Sequence, residues 1–104
     1  MTAMPNGKNH TILLVDDDPD ILQMLSYNIE REGFKVYTAK DGEEGVSMTK
    51  LIHPSLILLD VMMPKRTGFE VCEFLRSNKQ FDKTLIVLLT ALNDEASHIK
   101  GLEL

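Results

Sequence analysis

Carboxylates follow two apolar segments of this chain, and a hydroxyl follows a third. Asp16 and Asp17 come after the first segment, Asp60 after the second and Thr90 after the third. Two carboxylates held ~4 Å apart repel by about 4 kcal/mol at an effective dielectric constant of ~20. A cation removes that repulsion, and Mg²⁺ prefers such hard oxygen ligands, usually together with phosphate oxygens. If the fold brings them together, these residues therefore predict magnesium-assisted phosphate chemistry.

A second interpretation of the acidic run is helix capping, because aspartate is favoured in the first turn of a helix. Asp18 and Asp20 fit that interpretation. For Asp16 and Asp17 taken alone, capping and metal binding remain equally good explanations. Asp60 favours a metal-binding site, because it follows a wholly apolar segment and does not stand at the spacing that would cap a helix.

The elements that would position these residues alternate along the chain. Short apolar runs predict strands, and apolar residues three and four positions apart predict helices. The predicted strands are 11–15, 35–39, 56–59 and 85–89. The predicted helices begin at 19, 41, 69 and 94, and they end near 33, 52, 77 and 104.

Capping residues support the first two helices. Asp18 can cap the first helix, Pro19 suits its first position, and Gly33 suits its exit. Asp41 and Glu44 have the spacing of a capping box, with Asp in place of Ser or Thr. Later in the second helix an interior glycine at position 45 should cost about 1 kcal/mol relative to alanine.

The alternation predicts an α/β fold with a doubly wound parallel sheet. The first, third and fourth strands are apolar without alternation, which is expected when helices cover both faces of a sheet. In such open sheets the functional site lies at the carboxyl ends of the strands. That rule places the two carboxylate segments and the hydroxyl at one edge.

Composition restricts the class of protein. The chain has 104 residues, 43% of them hydrophobic and 26% charged, which suits one globular domain. A single cysteine excludes an intrachain disulfide and fits a reducing compartment, so we expect a cytoplasmic location. A net charge of −5 argues against direct nucleic acid binding.

The polar start of the chain predicts a flexible leader over 1–10, with the domain occupying 11–104. The leader lacks the apolar stretch of a signal peptide. No apolar run approaches the ~20 residues that a membrane span needs, so we expect no membrane association.

Three motifs resemble the receiver domain of two-component response regulators. They are LLVDDD at 13–18, D-x-x-M-P-x-x-x-G at 60–68 and LLTA at 88–91. The resemblance extends from about 11 to 104, and the central motif together with the upstream acidic pair is highly specific. It implies the flavodoxin-like strand order 2-1-3-4 for the strands present. Residues 90–104 look most like the branch of winged-helix transcription regulators.

The resemblance implies a role for each site residue. Asp60 would be the phosphoacceptor, taking a phosphoryl group from the phosphohistidine of a sensor histidine kinase. Asp17 would bind Mg²⁺ directly and Asp16 would bind it through water. Asp60 itself and the backbone carbonyl of Met62 would be further ligands of the ion.

Three further positions acquire roles from the same resemblance. Thr90 would donate its hydroxyl to the phosphoryl group and move with its loop as the switch, and Ala91 would leave space for that group. Met62 and Leu92 occupy the two positions that tune dephosphorylation in the family. Because both side chains are apolar and do not orient water, we expect a long-lived phosphoaspartate.

The sequence departs from the family after the fourth helix. Family members carry a fifth strand, a lysine that pairs with the phosphoryl group, and a fifth helix. This chain stops at Leu104, and neither Lys65 nor Lys100 matches the position of that lysine. Weakened phosphorylation is therefore expected. Strand 85–89 would become an exposed apolar edge, which predicts self-association.

Other classes of protein fit less well. A magnesium-dependent aspartyl phosphohydrolase needs D-x-D, but Val61 and Met62 follow Asp60. A flavodoxin needs a phosphate-cradling loop where this chain has its acidic run, and no Gly-Lys-Ser/Thr nucleotide loop occurs. A phosphate-independent interaction module, or a non-functional fragment, remains the alternative, because the lysine is missing.

Overall fold

A computed structural model describes residues 10–63 and 66–89 of the chain. The predicted leader up to position 9 and the predicted fourth helix lie outside the described residues. So do Thr90, Ala91 and Leu92. The domain limits 11–104 therefore stay a prediction.

In the described part of the chain, four parallel strands form a sheet in the order β2-β1-β3-β4. This order confirms the predicted architecture. The strands are β1 (Thr11–Val15), β2 (Lys35–Ala39), β3 (Leu56–Asp60) and β4 (Leu85–Leu89). β3 is one residue longer than predicted, because Asp60 still pairs in register with Leu89.

Helix α1 (Pro19–Glu30) begins as its sequence predicts, but it ends at Glu30, before the predicted exit at Gly33. The Asp18 side chain accepts hydrogen bonds from the backbone N–H groups of Asp20 and Ile21. These bonds satisfy amides that have no partner within the helix, while Pro19 at the first position has no N–H to satisfy. Gly33 leaves the helix region with a φ of +98°, a conformation that favours glycine.

Helix α2 (Gly42–Ile52) is capped differently from the predicted box. The Asp41 side chain accepts from the Glu44 N–H, as expected. The Glu44 carboxylate accepts from the N–H of Lys40, the residue before the cap. Gly45 lies against β1, and a Cβ atom there would be 3.1 Å from Val15 Cγ1. Close helix–strand approach therefore explains a glycine that helix propensity disfavours.

Helix α3 (Gly68–Arg76) begins with a capping box in which both hydrogen bonds are present. The Thr67 hydroxyl accepts from the Glu70 N–H, and the Glu70 carboxylate accepts from the Thr67 N–H. A 3₁₀ turn (Lys79–Phe81) follows, which the sequence analysis did not predict. Phe81 is fully buried there and anchors the connection to β4.

The two faces of the sheet are covered unequally. On the face of α2 and α3, side chains of all four strands are buried in one hydrophobic core. On the opposite face, α1 leaves a groove of about 690 Å³ along β3 and β4. Apolar residues that line it include Ile12, Ile29, Phe34, Leu56, Leu58 and Leu85. Leu85, which lines this groove at the start of β4, is 66% exposed. Because the predicted fourth helix lies outside the described residues, the expected covering of both faces stays a prediction along β3 and β4.

Candidate metal centre at the carboxyl edge of the sheet

Asp16 and Asp17 occupy the turn between β1 and α1. The N–H of Asp16 donates to the carbonyl of Ala39 at 3.1 Å, which extends the contact between β1 and β2 by one residue. The N–H of Asp18 donates to Asp16 Oδ1 at 2.9 Å. Asp17 is exposed, whereas Asp16 is half-buried. The turn therefore fixes the Asp16 carboxylate and leaves that of Asp17 accessible to a ligand.

Asp18 belongs to the helix and not to the carboxylate cluster. Both of its capping hydrogen bonds go to the first turn of α1, at 2.9 Å and 3.4 Å. The capping interpretation of Asp18 is thus confirmed. The group that is close enough to hold an ion contains Asp16 and Asp17 but excludes Asp18.

Asp60 ends β3, a strand that lies between β1 and β4 in the sheet. Its Oδ1 atom accepts a 3.3 Å hydrogen bond from the N–H of Met62. The N–H of Val61, the residue directly after Asp60, donates to the carbonyl of Leu89 on β4. A Cβ atom on Gly68 would collide with the carbonyl oxygen of Asp60, so only glycine allows the loop to fold back this closely.

Asp16, Asp17 and Asp60 meet at the carboxyl edge of the sheet. One carboxylate oxygen from each lies within 4.8 Å of the others, the one such acidic group found among the described residues. Since β1 and β3 are neighbours and parallel, their carboxyl ends necessarily lie side by side. The sequence prediction that the two segments converge is confirmed by this geometry.

The environment of the cluster disfavours negative charge. Burial, followed by the charge of Asp16, raises the pKa of Asp60 to about 6. Burial also raises the pKa of Asp16, although the hydrogen bond from the Asp18 amide opposes the shift. A cation between these carboxylates would relieve both effects.

The donor set fits a hard divalent cation. It consists of carboxylate oxygens, and Mg²⁺ is typically held by one or two carboxylates with its remaining positions open to water or phosphate. The histidines among the described residues, His10 and His53, are not part of the group. The arrangement is therefore suited to Mg²⁺ and not to a zinc-type site with nitrogen and sulfur ligands.

Met62 lies beside the cluster with a 69% exposed side chain. Its N–H faces Asp60, as the hydrogen bond above shows. Thr90, Ala91 and Leu92, the other predicted site residues, lie outside the described residues.

Sequence reasoning missed two features of the loop between β3 and α3. One is the capping box of Thr67 and Glu70, although the T-x-x-E pattern that signals it is present. The other is Arg66, whose Nε atom donates to Glu43 Oε2 at 2.9 Å. No local pattern links two residues on different elements, so sequence alone could not have paired them.

Comparison with known proteins identifies the family. The family model described as "Response regulator receiver domain" matches residues 12–104. The chain belongs to this family. It is a receiver domain of a two-component response regulator, and the resemblance found in its motifs is confirmed. Receiver domains of this family are phosphorylated by sensor histidine kinases.

Curated relatives are longer transcription regulators. The alkaline phosphatase synthesis transcriptional regulatory protein PhoP of Bacillus subtilis is 47% identical over 92% of this chain and 39% of its own length. The DNA-binding dual master transcriptional regulator RpaA of Synechocystis is 39% identical over 88% of this chain and 38% of its own. The chain thus spans about two-fifths of the length of these relatives.

Solved receiver structures share the fold. Chemotaxis protein CheY4 of Vibrio cholerae matches with a TM-score of 0.75 and 35% identity, over 83% of this chain and 72% of its own. Response regulator TrrA of Thermotoga maritima, solved in complex with Mg²⁺ and BeF, matches with a TM-score of 0.73 and 36% identity. That match covers 79% of this chain and 70% of TrrA. None of the helices in the described ranges has the length and apolar content needed to cross a bilayer.

Proposed function

We propose that this receiver domain accepts a phosphoryl group on Asp60 from the phosphohistidine of a sensor histidine kinase, in a Mg²⁺-dependent reaction. The observation that carries the proposal is the meeting of Asp16, Asp17 and Asp60 within 4.8 Å. Membership of the receiver family and the Mg²⁺–BeF complex of TrrA support it. The domain serves as a phosphoryl-accepting signalling module, and the only chemistry it promotes is its own phosphorylation.

Asp60 acts as the nucleophile of the proposed reaction. With a pKa of about 6, it is mostly ionised at neutral pH and becomes more so when a cation is near. A carboxylate oxygen forms the new O–P bond while the N–P bond of the phosphohistidine breaks, and the departing imidazole nitrogen keeps the electron pair. Phosphoryl transfer depends mainly on such in-line positioning and on charge neutralisation.

The remaining carboxylates hold the cation. Asp17, the exposed member, would bind Mg²⁺ directly, Asp16 would bind it through water, and the Met62 carbonyl would complete the protein ligands. When bound, Mg²⁺ neutralises charge, which allows an anionic carboxylate to approach an anionic phosphate. The N–H of Met62 meanwhile holds the Asp60 carboxylate in place.

We assign the switch and the lifetime of the modified state to residues that flank β3 and β4. Thr90 would donate its hydroxyl to the phosphoryl group and move its loop, while Ala91 leaves room for that group. Met62 and Leu92 would slow hydrolysis, because neither side chain can orient an attacking water. The exposed position of the Met62 side chain is compatible with this role.

Several properties beyond the site are also part of the proposal. We expect self-association through the outer edge of β4, no direct nucleic acid binding by this acidic segment, and a cytoplasmic location, as is general for response regulators. Any output through DNA would belong to a part of the protein outside this segment, as the DNA-binding relatives suggest.

Incubation with acetyl phosphate tests the proposal. The wild-type chain, Asp60→Asn and the control Asp82→Asn are each incubated with and without Mg²⁺, and intact mass reports the added phosphoryl group. Asp82 is an exposed aspartate beyond the 3₁₀ turn, away from the cluster. We expect Mg²⁺-dependent incorporation by the wild type and Asp82→Asn but not by Asp60→Asn.

Incorporation that persists in Asp60→Asn would contradict the assignment of the acceptor. The alternative, a phosphate-independent interaction module, gains support if the wild type remains unmodified while partner binding is the same in Asp60→Asn. The half-life of the phosphorylated wild type, followed by the same mass measurement, tests the predicted slow hydrolysis.

A further inference from the structure

Arg66 connects the loop after Asp60 to both flanking helices. Its Nε atom donates to Glu43 Oε2 in the first turn of α2, at 2.9 Å. Its guanidinium also lies over the ring of Phe74 on α3, 5.7 Å from the ring centroid. The loop is thus tied through one side chain to two elements of the core face.

The backbone of Arg66 is held as closely as its side chain. A Cβ atom on Gly42, the first residue of α2, would lie 2.5 Å from Arg66 Cβ and 2.6 Å from its carbonyl oxygen. Phe74, which supports the guanidinium, packs against the hydrophobic core and also carries Lys50 Nζ at 5.3 Å from its centroid. The position of Arg66 is therefore defined by packing as well as by charge.

The loop that Arg66 holds is the one that completes the carboxylate cluster. At its start, the N–H of Met62 donates to Asp60. At its end, the N–H of Gly68 donates to the carbonyl of Val61 at 2.9 Å. Gly68, two residues after Arg66, therefore connects the backbone near Arg66 to the backbone of Asp60 and Val61, next to Met62.

We propose that the Arg66 clamp, defined as Glu43, Arg66 and Phe74, positions the loop after Asp60 and thereby sets the affinity of the carboxylate cluster for a divalent cation. The inference rests on the proposed function of the cluster as a Mg²⁺ site. Arg66 is a positioning residue, since it acts through the loop and not by touching the ion.

Simple electrostatics predicts the opposite effect of removing Arg66. A positive charge near an acidic cluster repels a cation, so its loss would strengthen cation binding if charge alone mattered. The clamp predicts weaker binding, because the loop that carries the Met62 carbonyl loses its attachment to α2 and α3. The sign of the change therefore separates the two explanations.

Mg²⁺ titration of the full chain, followed by calorimetry, tests the clamp without any phosphorylation step. The variants are Arg66→Met, Glu43→Gln and their combination. Arg66→Lys serves as the conservative variant, because lysine keeps the positive charge. Arg31→Met is the matched control, since the Arg31 guanidinium also lies over an aromatic ring, that of Tyr27, at 5.6 Å, but at the C-cap of α1 and on neither helix of the clamp.

We expect the dissociation constant for Mg²⁺ to rise about three- to tenfold in Arg66→Met and in Glu43→Gln, a range set by one exposed ion pair and one cation–π contact. The double variant should be no weaker than Arg66→Met, because both changes break the same contact. Arg66→Lys should recover most of the affinity, and Arg31→Met should leave it unchanged. Thermal unfolding of each variant checks that the fold is kept. If Arg66→Met unfolds, Phe74→Leu decides the matter, because it removes the ring beneath the guanidinium without changing any charge. The clamp then predicts weaker Mg²⁺ binding, whereas charge alone predicts no change.

Tighter or unchanged Mg²⁺ binding in Arg66→Met, or additive losses in the double variant, would overturn the clamp. Failure of the proposed function looks different. A wild-type chain that binds no Mg²⁺ and takes no phosphoryl group would overturn the function and the clamp together, whereas normal wild-type behaviour with no effect of Arg66 overturns the clamp alone.

Discussion

Asp60 is placed where its negative charge is least favourable. The pKa of its carboxyl in the folded protein is about 6, above the ordinary value of 3.8. Below about pH 4 the group is protonated in both the folded and the unfolded state, so it carries no penalty. Between about pH 4 and pH 6 the unfolded chain has lost this proton while the folded state still holds it, so stability falls as the pH rises, and the penalty is complete above pH 6.

Asp60→Asn should therefore stabilise the protein without Mg²⁺ at neutral pH. One pKa unit corresponds to about 1.4 kcal/mol, and screening by solvent reduces the expected gain to about 1–2 kcal/mol. Urea unfolding at a series of pH values should show the gain over wild type growing from pH 4 to pH 7. Added Mg²⁺ should narrow the gap. Asp82→Asn is the control, and an equal gain in that variant would refute the explanation.

Sequence reasoning succeeded at the site where the residues follow strand ends, and it failed where contacts cross between elements. Asp16, Asp17 and Asp60 were predicted to converge because parallel strands bring their carboxyl ends together. The raised pKa of Asp60 and the contact between Glu43 and Arg66 depend on burial and on packing between α2 and the loop. Neither leaves a local pattern in the sequence.

At the scale of elements, the start of α3 carries a capping box whose loss should be measurable. Thr67→Ala removes the acceptor of the Glu70 N–H and should lower the free energy of unfolding by about 1 kcal/mol. Thr67→Ser retains the hydroxyl and should lose much less. Urea unfolding of the three proteins makes the comparison, and equal stability of Thr67→Ala and wild type would count against a structural role for the box.

Helices and strands were predictable where nearby residues in the sequence mark their ends. The bounds of β1, β2 and β4 and the start of α1 at Pro19, after the cap Asp18, agree with the sequence prediction, because apolar runs and capping residues mark them. The 3₁₀ turn at Lys79–Phe81 was missed, because it is stabilised by burial of Phe81 and has no period of its own. The covering of both sheet faces stays a prediction along β3 and β4, because the predicted fourth helix lies outside the described residues.

At the scale of the whole molecule, β4 is the outermost strand of the described sheet and borders the groove left beside α1. An outer strand with unpaired backbone groups and apolar side chains is a template for pairing with another chain. Leu85→Lys should weaken the proposed self-association, since a charged side chain on an edge strand opposes such pairing.

Sedimentation velocity over a range of protein concentrations measures this effect. Leu51→Lys is the matched control, because Leu51 is equally apolar and even more exposed, at 76%, but lies on α2. We expect Leu85→Lys to shift the population toward monomer and Leu51→Lys to leave it unchanged. A wild type that stays monomeric at the highest concentration would disprove the self-association itself.

The close approach of Gly45 to Val15 connects the packing of α2 with the position of the acidic cluster. Val15 immediately precedes Asp16, and the missing side chain of Gly45 lets α2 lie directly on that residue. A methyl group at position 45 would improve the helix by about 1 kcal/mol in isolation, yet it would press on the strand that carries two of the three carboxylates. The distance between α2 and β1 therefore bears directly on the position of the strand that ends at Asp16 and Asp17. A side chain at position 45 that favours the helix would oppose this close approach.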